Sequence, residues 1–235
     1  MRIAENLYPA VLVKRYKRFL ADVVTANGDS ITLHCPNTGS MKNCQDPGSK
    51  VWYSLSDNAK RKYPGSWQLI EIDGEHLVGI NTSLANKLVQ EAIEKAVIAQ
   101  LQGYATIKTE VPYGEQSSRI DLLLENPGRC WVEVKNVSLG LGNGVAEFPD
   151  AVTTRGQKHL QELIQVAAHG DRAVLLFCVQ HSGIDRVRPA DAIDPEYGRL
   201  LRQAAAQGVE ILAYAASFDL ASASIALVRE VAVEL

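Results

Sequence analysis

The chain predicts a two-domain α+β protein. An all-β module over residues 1–81 forms a small barrel, and an α/β module with a mixed central sheet follows over 82–235. Three observations carry this. Short apolar runs separated by turn residues fill the first module. At Leu84 the hydrophobic period changes to that of a helix. Farther on, Ala173–Val179 is a near-continuous apolar run, the mark of a central strand buried on both faces.

The strand candidates of the first module are Leu7–Val13, Phe19–Thr25, Ser30–His34, Lys50–Leu55, Trp67–Ile72 and His76–Ile80. Turn signals separate them: Asn27-Gly28-Asp29, Pro36-Asn37-Thr38-Gly39, Asp46-Pro47-Gly48 and Asp73-Gly74-Glu75. Five or six short strands in this length suit a small closed barrel such as an OB-fold. Thr82 or Ser83 then caps a helix whose apolar positions are 84, 85, 88, 89, 92, 93, 96 and 97. Strands follow at Thr106–Val111, Arg119–Leu124 and Cys130–Lys135, then a glycine-rich loop at 140–144. That loop lacks the Lys-Ser/Thr ending of a nucleotide-binding loop. A helix from about Thr153 to Ala168, capped by Asp150 or Thr153, precedes the apolar strand. Pro195–Gln207 is a helix ended by Gly208, and Val209–Ala215 is another buried strand. The second module thus has about five strands flanked by helices. The alanine-rich segment 213–226 serves either core packing or a homodimer contact.

Composition narrows the function. Hydrophobic residues make up 46%, enough for a packed core. The net charge of −3 excludes a histone-like polycation, but not a local basic groove. Cys35, Cys44, Cys130 and Cys178 form no CxxC pair, so reduced thiols are expected rather than a zinc site or disulfide frame. No signal-peptide run and no apolar stretch of membrane-spanning length occurs, so a cytoplasmic protein without membrane association is expected.

The most informative residues are charged ones inside apolar strands. Asp121 lies in Arg119-Ile120-Asp121-Leu122-Leu123-Leu124. Twelve residues on comes Glu133, then Lys135, in Cys130-Trp131-Val132-Glu133-Val134-Lys135. Side chains alternate across a strand, so Glu133 and Lys135 share a face. A hairpin through Glu125-Asn126-Pro127-Gly128-Arg129 would bring Asp121 beside them. Two close carboxylates repel and need a cation between them. A hard divalent ion such as Mg2+ takes oxygen ligands and keeps several waters. The lysine then positions a water or steadies a charged transition state, which is the kit for phosphodiester hydrolysis. The helix before these strands carries Glu91 and Glu94. Glu91, beside the apolar stripe, is the preferred third metal oxygen, against a solvated helix charge.

Two further clusters suit phosphates. In Thr153-Thr154-Arg155-Gly156-Gln157-Lys158-His159, cations lie near a helix N-terminus, which favours anions. Arg155 and Lys158 are placed to hold a phosphate, and Gln157 to orient a carboxylate or a water. In the barrel, Lys14-Arg15-Tyr16-Lys17-Arg18-Phe19 interleaves cations with rings, as single-stranded nucleic acid requires, and Lys60-Arg61-Lys62-Tyr63 repeats the pattern. Each is otherwise a solvated face. Asn37-Thr38-Gly39 is either a plain turn or a set of backbone N–H groups for a phosphate.

Several segments together resemble the sugar fermentation stimulation protein A (SfsA) family. They are His34…Asn37-Thr38-Gly39-Ser40-Met41, Ser118-Arg119-Ile120-Asp121, Val132-Glu133-Val134-Lys135-Asn136-Val137 and Phe148-Pro149-Asp150-Ala151…Thr154-Arg155-Gly156-Gln157-Lys158-His159-Leu160. The resemblance covers essentially the whole chain. It implies a DNA-binding protein linked by name to the regulation of sugar metabolism, with an OB-like first domain and a second domain of the PD-(D/E)xK nuclease superfamily. By position, Asp121 is that superfamily's first acid, Glu133 its second and Lys135 its lysine. Ile120 stands where the superfamily's name has proline.

The resulting expectation is a Mg2+- or Mn2+-dependent nuclease. Asp121, Glu133, Lys135 and Gln157 are its catalytic residues, and Asp121, Glu133 and Glu91 hold the metal. DNA, duplex or single-stranded and without sequence preference, is contacted by Lys14, Arg15, Lys17, Arg18, His34, Asn37, Thr38, Arg119, Arg155 and Lys158. The rival is a non-catalytic DNA-binding regulator that keeps a degenerate nuclease site. A sugar- or nucleotide-binding module has less support, because the barrel's most distinctive residues are cationic.

Overall fold

A computed structural model describes residues 1–58, 60–113 and 118–235. The first module is a closed five-stranded barrel. Its strands are β1 (Tyr8–Tyr16), β2 (Leu20–Thr25), β3 (Ser30–His34), β4 (Lys50–Leu55) and β5 (Gly65–Ile72). They pair antiparallel as β3-β2-β1-β4-β5, and a parallel bridge between His34 of β3 and Ser66 of β5 closes the ring. This is the expected OB topology. Inward alternation buries Leu12, Val23, Leu33, Val51, Trp67 and Ile70. A sixth strand, β6 (His76–Gly79), adds to β5 through a hairpin in which Asp73 and Gly74 both take positive φ.

The basic run departs from its expected place. β1 continues past Val13 to Tyr16, and Lys17 and Arg18, at φ 50° and 63°, are the turn into β2. The β1–β2 register slips between Leu12 and Lys14, leaving Val13 as a bulge. A bulge reverses the side-chain alternation that follows it. Arg15 therefore pairs with the buried Ala21 and points inward, where a regular strand would turn it to solvent.

The second module starts with a 3-10 turn at Thr82–Leu84. The cap is Asn81, whose Oδ1 accepts from the Ser83 N–H, rather than Thr82 or Ser83. Helix α1 (Ala85–Glu94) follows. The central sheet has six strands: β7 (Thr106–Tyr113), β8 (Ser118–Glu125), β9 (Arg129–Val137), β11 (Arg172–Val179), β13 (Glu210–Asp219) and β14 (Ser224–Glu230), in that spatial order. β9, β11 and β13 are parallel, and the outer pairings are antiparallel. Helix α1 covers one face, against Leu122, Val132 and Leu176. Helices α2 (Thr154–Ala168) and α3 (Pro195–Ala206) cover the other, against Leu123, Leu175 and Phe177.

A second, small parallel sheet of β10 (Val145–Phe148), β12 (Arg186–Pro189) and β15 (Ala232–Val233) lies beyond the expected elements. Its strands are too short for a periodic signal. The glycine-rich loop leads into it: the Gly144 carbonyl accepts from Asp185 and Arg186 N–H, seating β12. Within the alanine-rich segment, Ala213, Ala215 and Ala216 are buried on β13, which is core packing.

The two modules are bonded together. Ser40 Oγ donates to Asp150 Oδ2 at 2.9 Å, Asn43 Nδ2 to the Gly140 carbonyl at 2.9 Å, and Gly79 N–H to the Gln180 carbonyl at 2.8 Å. Residues 1–3 cross from the barrel and pair with residues 223–225 at the start of β14. All four cysteines are buried and free. No helix among the described residues is long and apolar enough to cross a membrane.

Candidate active site

β8 and β9 pair from Glu125–Arg129 to Leu122–Val132 and no farther, while β9 continues along β11 to Val137. The next rung would join Asp121 to Glu133, so the sheet forks at the two acids. The Val134 N–H, released at the fork, donates to Asp121 Oδ2 at 2.7 Å. Asp121 Oδ1 accepts from Asn86 Nδ2 of α1 at 2.7 Å.

Glu133 is buried, with a side chain only 3% exposed, and faces α2. Its Oε1 accepts from Lys135 Nζ at 2.6 Å and meets His159 Nδ1 in a very short contact. Lys135 Nζ is 3.2 Å from the same imidazole nitrogen, and Arg155 Nε is 3.4 Å from its Nε2. Glu133 Oε2 is buried and has no partner among the described residues. Burial and the charge of Glu133 push the Asp121 carboxyl above its usual range. Burial acts the same way on Glu133, but the His159 bond and the Lys135 charge outweigh it and hold Glu133 low. The charged form of Glu133 is thus favoured, and its charge opposes ionisation of Asp121. A divalent cation would relieve that opposition, and the orphaned oxygen is a fitting donor for it.

Of the expected site residues, Glu133 and Lys135 are in direct contact, and Asp121 stands at the end of the facing strand, within reach of their charges but bonded to Asn86 and the Val134 N–H. Glu91 is not with them. It binds the Met1 amino group at 2.6 Å and Lys95 at 2.8 Å. Five residues separate it from Asn86, which puts it about 140° away around the helix. Gln157 is also elsewhere: its amide donates to Asp194 Oδ1 at 2.9 Å and Oδ2 at 3.1 Å. Asp194 caps α3, so Gln157 ties α2 to α3. Arg155 and His159, four residues apart, share the helix face that reaches the acids, and Gln157 lies about 200° from each.

Sequence reasoning assigned no role to His159 or Asn86. The signal was present in both. His159 sits one helical turn after Arg155 beside the apolar stripe of Leu160 and Leu163, and Asn86 shares a face with Val89 and Ile93.

The nucleic-acid candidates divide. Lys17 and Arg18 are exposed at the hairpin tip. Lys14 lies 3.6 Å from Asp22 and over the Tyr16 ring. Arg15 donates to the carbonyls of Arg18, Asn37 and Gly39 at 2.7, 3.0 and 2.9 Å, which makes it the clamp of the 36–45 loop. Asn37 is buried and its Oδ1 accepts from Gly39 N–H, the turn arrangement, while Thr38 is exposed. His34 ends β3, and burial followed by the charge of Arg61 lowers its pKa. Arg119 is exposed two residues from Asp121 on the same strand and donates to the Glu110 carbonyl. Arg155 is exposed on α2 and Lys158 half-buried.

Comparison with known proteins gives a consistent result. Residues 83–222 match the model of the sugar fermentation stimulation protein RE domain, and residues 13–80 that of the SfsA N-terminal OB domain. The chain is similar to the sugar fermentation stimulation protein homologue of Shewanella frigidimarina, 57% identical over 91% of this chain and 92% of that one. It is also similar to that of Geobacter metallireducens, 58% identical over 92% and 93%. A solved structure of Pyrococcus furiosus SfsA in complex with Ca2+ superimposes with a TM-score of 0.87, at 30% identity, covering both chains completely. The chain belongs to the sugar fermentation stimulation protein (SfsA) family.

Proposed function

We propose that the second domain is a metal-dependent nuclease of PD-(D/E)xK type, and that the barrel and the rim of the fork hold DNA. The observation that carries this is the fork: two coupled carboxylates, one with an orphaned oxygen, beside a lysine whose side chain is 13% exposed. Asp121 and Glu133 would hold Mg2+ or Mn2+. The Pyrococcus protein's complex with Ca2+, another hard oxygen-seeking ion, supports a divalent site. When bound, the cation supplies positive charge for the phosphate and acidifies its water. Lys135, held between Glu133 and His159, positions the attacking water and steadies charge on the phosphate oxygens. Arg155 grips the scissile phosphate or its neighbour from the exposed side of α2. His159 orients Lys135.

Cleavage of plasmid or single-stranded DNA with Mg2+ or Mn2+ tests the proposal. Asp121→Ala and Lys135→Ala should each lose at least about a hundredfold in rate, while Glu91→Ala should keep its activity. Undiminished cleavage in the first two variants refutes the assignment. One observation favours a non-catalytic DNA-binding regulator instead: Glu133 Oε1 already meets Lys135 and His159, so part of its charge is neutralised within the fold. Salt-sensitive DNA binding without cleavage in any divalent metal selects that reading. Under either, DNA binding is the proposed link to the regulation of sugar metabolism.

A further inference from the structure

Between the central sheet and the helices α2 and α3, several buried side-chain oxygens have no hydrogen-bond partner among the described residues. They are Glu133 Oε2, both carboxylate oxygens of Glu162, and the hydroxyls of Tyr113 and Tyr197. Native interiors leave few such groups, and a run of them around one place asks for a ligand. Glu162 is the most costly. It is 5% exposed and carries two acceptors that no donor among the described residues meets. It follows His159 by three residues and so shares the helix face turned to Glu133. Tyr113, 7% exposed, stacks on Trp131, which points to the same side of β9 as Glu133. Burial, then the charges of Glu133, Glu162 and Asp121, suppress the acidity of its phenol, so all three carboxylates lie within electrostatic reach of one hydroxyl.

No three Asp, Glu, His or Cys side chains among the described residues are grouped to hold a metal directly. Glu162 therefore lies outside direct coordination with the two fork acids. We propose that Glu162 is a positioning residue for a divalent cation at Asp121 and Glu133, with its carboxylate and the Tyr113 hydroxyl binding the inner side of the cation's hydration shell. This rests on the divalent-cation reading of the fork. Magnesium and manganese retain several waters in protein sites, and those waters need acceptors. The Glu162 carboxylate supplies two, and a third carboxylate near the site raises its affinity for a doubly charged ion.

Titration calorimetry of the full chain with Mn2+ tests this. Glu133→Gln should abolish binding. Glu162→Gln should weaken it ten- to a hundredfold, as loss of an outer partner does, and Tyr113→Phe by about tenfold. Without metal, Glu162→Gln should keep or raise the thermal midpoint, because it removes a buried carboxylate whose oxygens have no hydrogen-bond partner among the described residues. Wild-type Mn2+ affinity in Glu162→Gln and Tyr113→Phe overturns the inference and leaves the fork reading standing. A metal-free Glu162→Gln protein with a lowered midpoint also overturns it, by showing that the carboxylate serves the fold. A wild-type chain that binds no Mn2+, or a Glu133→Gln variant that binds as well as wild type, removes both.

Discussion

Replacing Arg15 with methionine keeps the aliphatic stem and removes the guanidinium. Three of its donations, to the carbonyls of Arg18, Gly39 and Asn37, are 3.0 Å or shorter. Hydrogen bonds from a charged group contribute about 1.5–3 kcal/mol, but one of these is exposed and two are only part-buried, so the carbonyls regain some water. About 1 kcal/mol each, roughly 3 kcal/mol in all, is the appropriate scale. For a chain of this size each kcal/mol moves the midpoint by about 2–4 °C, so Arg15→Met should unfold about 6–12 °C lower by calorimetry. The same loop carries Ser40 and Met41, which bond Asp150 of the second module, so the loss should also loosen the docking of the modules. The salt dependence of the proposed DNA binding should keep the wild-type slope, since the guanidinium is engaged by the loop. A wild-type midpoint together with a shallower slope would refute this account and make Arg15 a phosphate contact.

Three other outcomes follow from the same geometry. Charge reversal of both Lys17 and Arg18, exposed at the hairpin tip, should reduce the salt slope of the proposed DNA binding by about 1 per residue; an unchanged slope removes the tip from the proposed interface. Gly79→Ala places a Cβ 2.4 Å from Gln180 Oε1 and 3.0 Å from its Cβ across the module boundary, and should cost about 1–3 kcal/mol in denaturant unfolding. Burial opposes ionisation of Asp194, but the Thr153 and Tyr197 N–H groups and the Gln157 amide outweigh it, and its folded pKa lies below the ordinary 3.8. Its stabilisation is therefore complete above pH 3.8 and is lost as pH falls towards the folded value, so Asp194→Asn should flatten the acid limb of the stability curve. A limb as steep as wild type would show that another carboxylate dominates there.

Sequence alone was enough for a barrel followed by an α/β module, and it singled out the acid pair with its lysine as the candidates. These are matters of local period and of residues out of place in their strands. Turn residues at short intervals mark small strands, and a carboxylate inside an apolar strand is conspicuous whatever surrounds it. Arg15, Glu91 and Gln157 were misplaced because nothing local says where a side chain points once an alternation is broken or a helix rolls on its neighbours. The Val13 bulge, one extra residue, turned Arg15 inward. The docking of α1 chose Asn86 over Glu91, and that of α2 chose His159 over Gln157. The fork itself belongs to the tertiary structure. β8 leaves β9 at Leu122–Val132 while β9 keeps its hydrogen bonds to β11, and only that divergence frees the Val134 N–H for Asp121. The kinds of residue that bear the proposed chemistry are written into short stretches of chain, whereas their arrangement depends on pairing between strands distant in sequence, which no short stretch encodes.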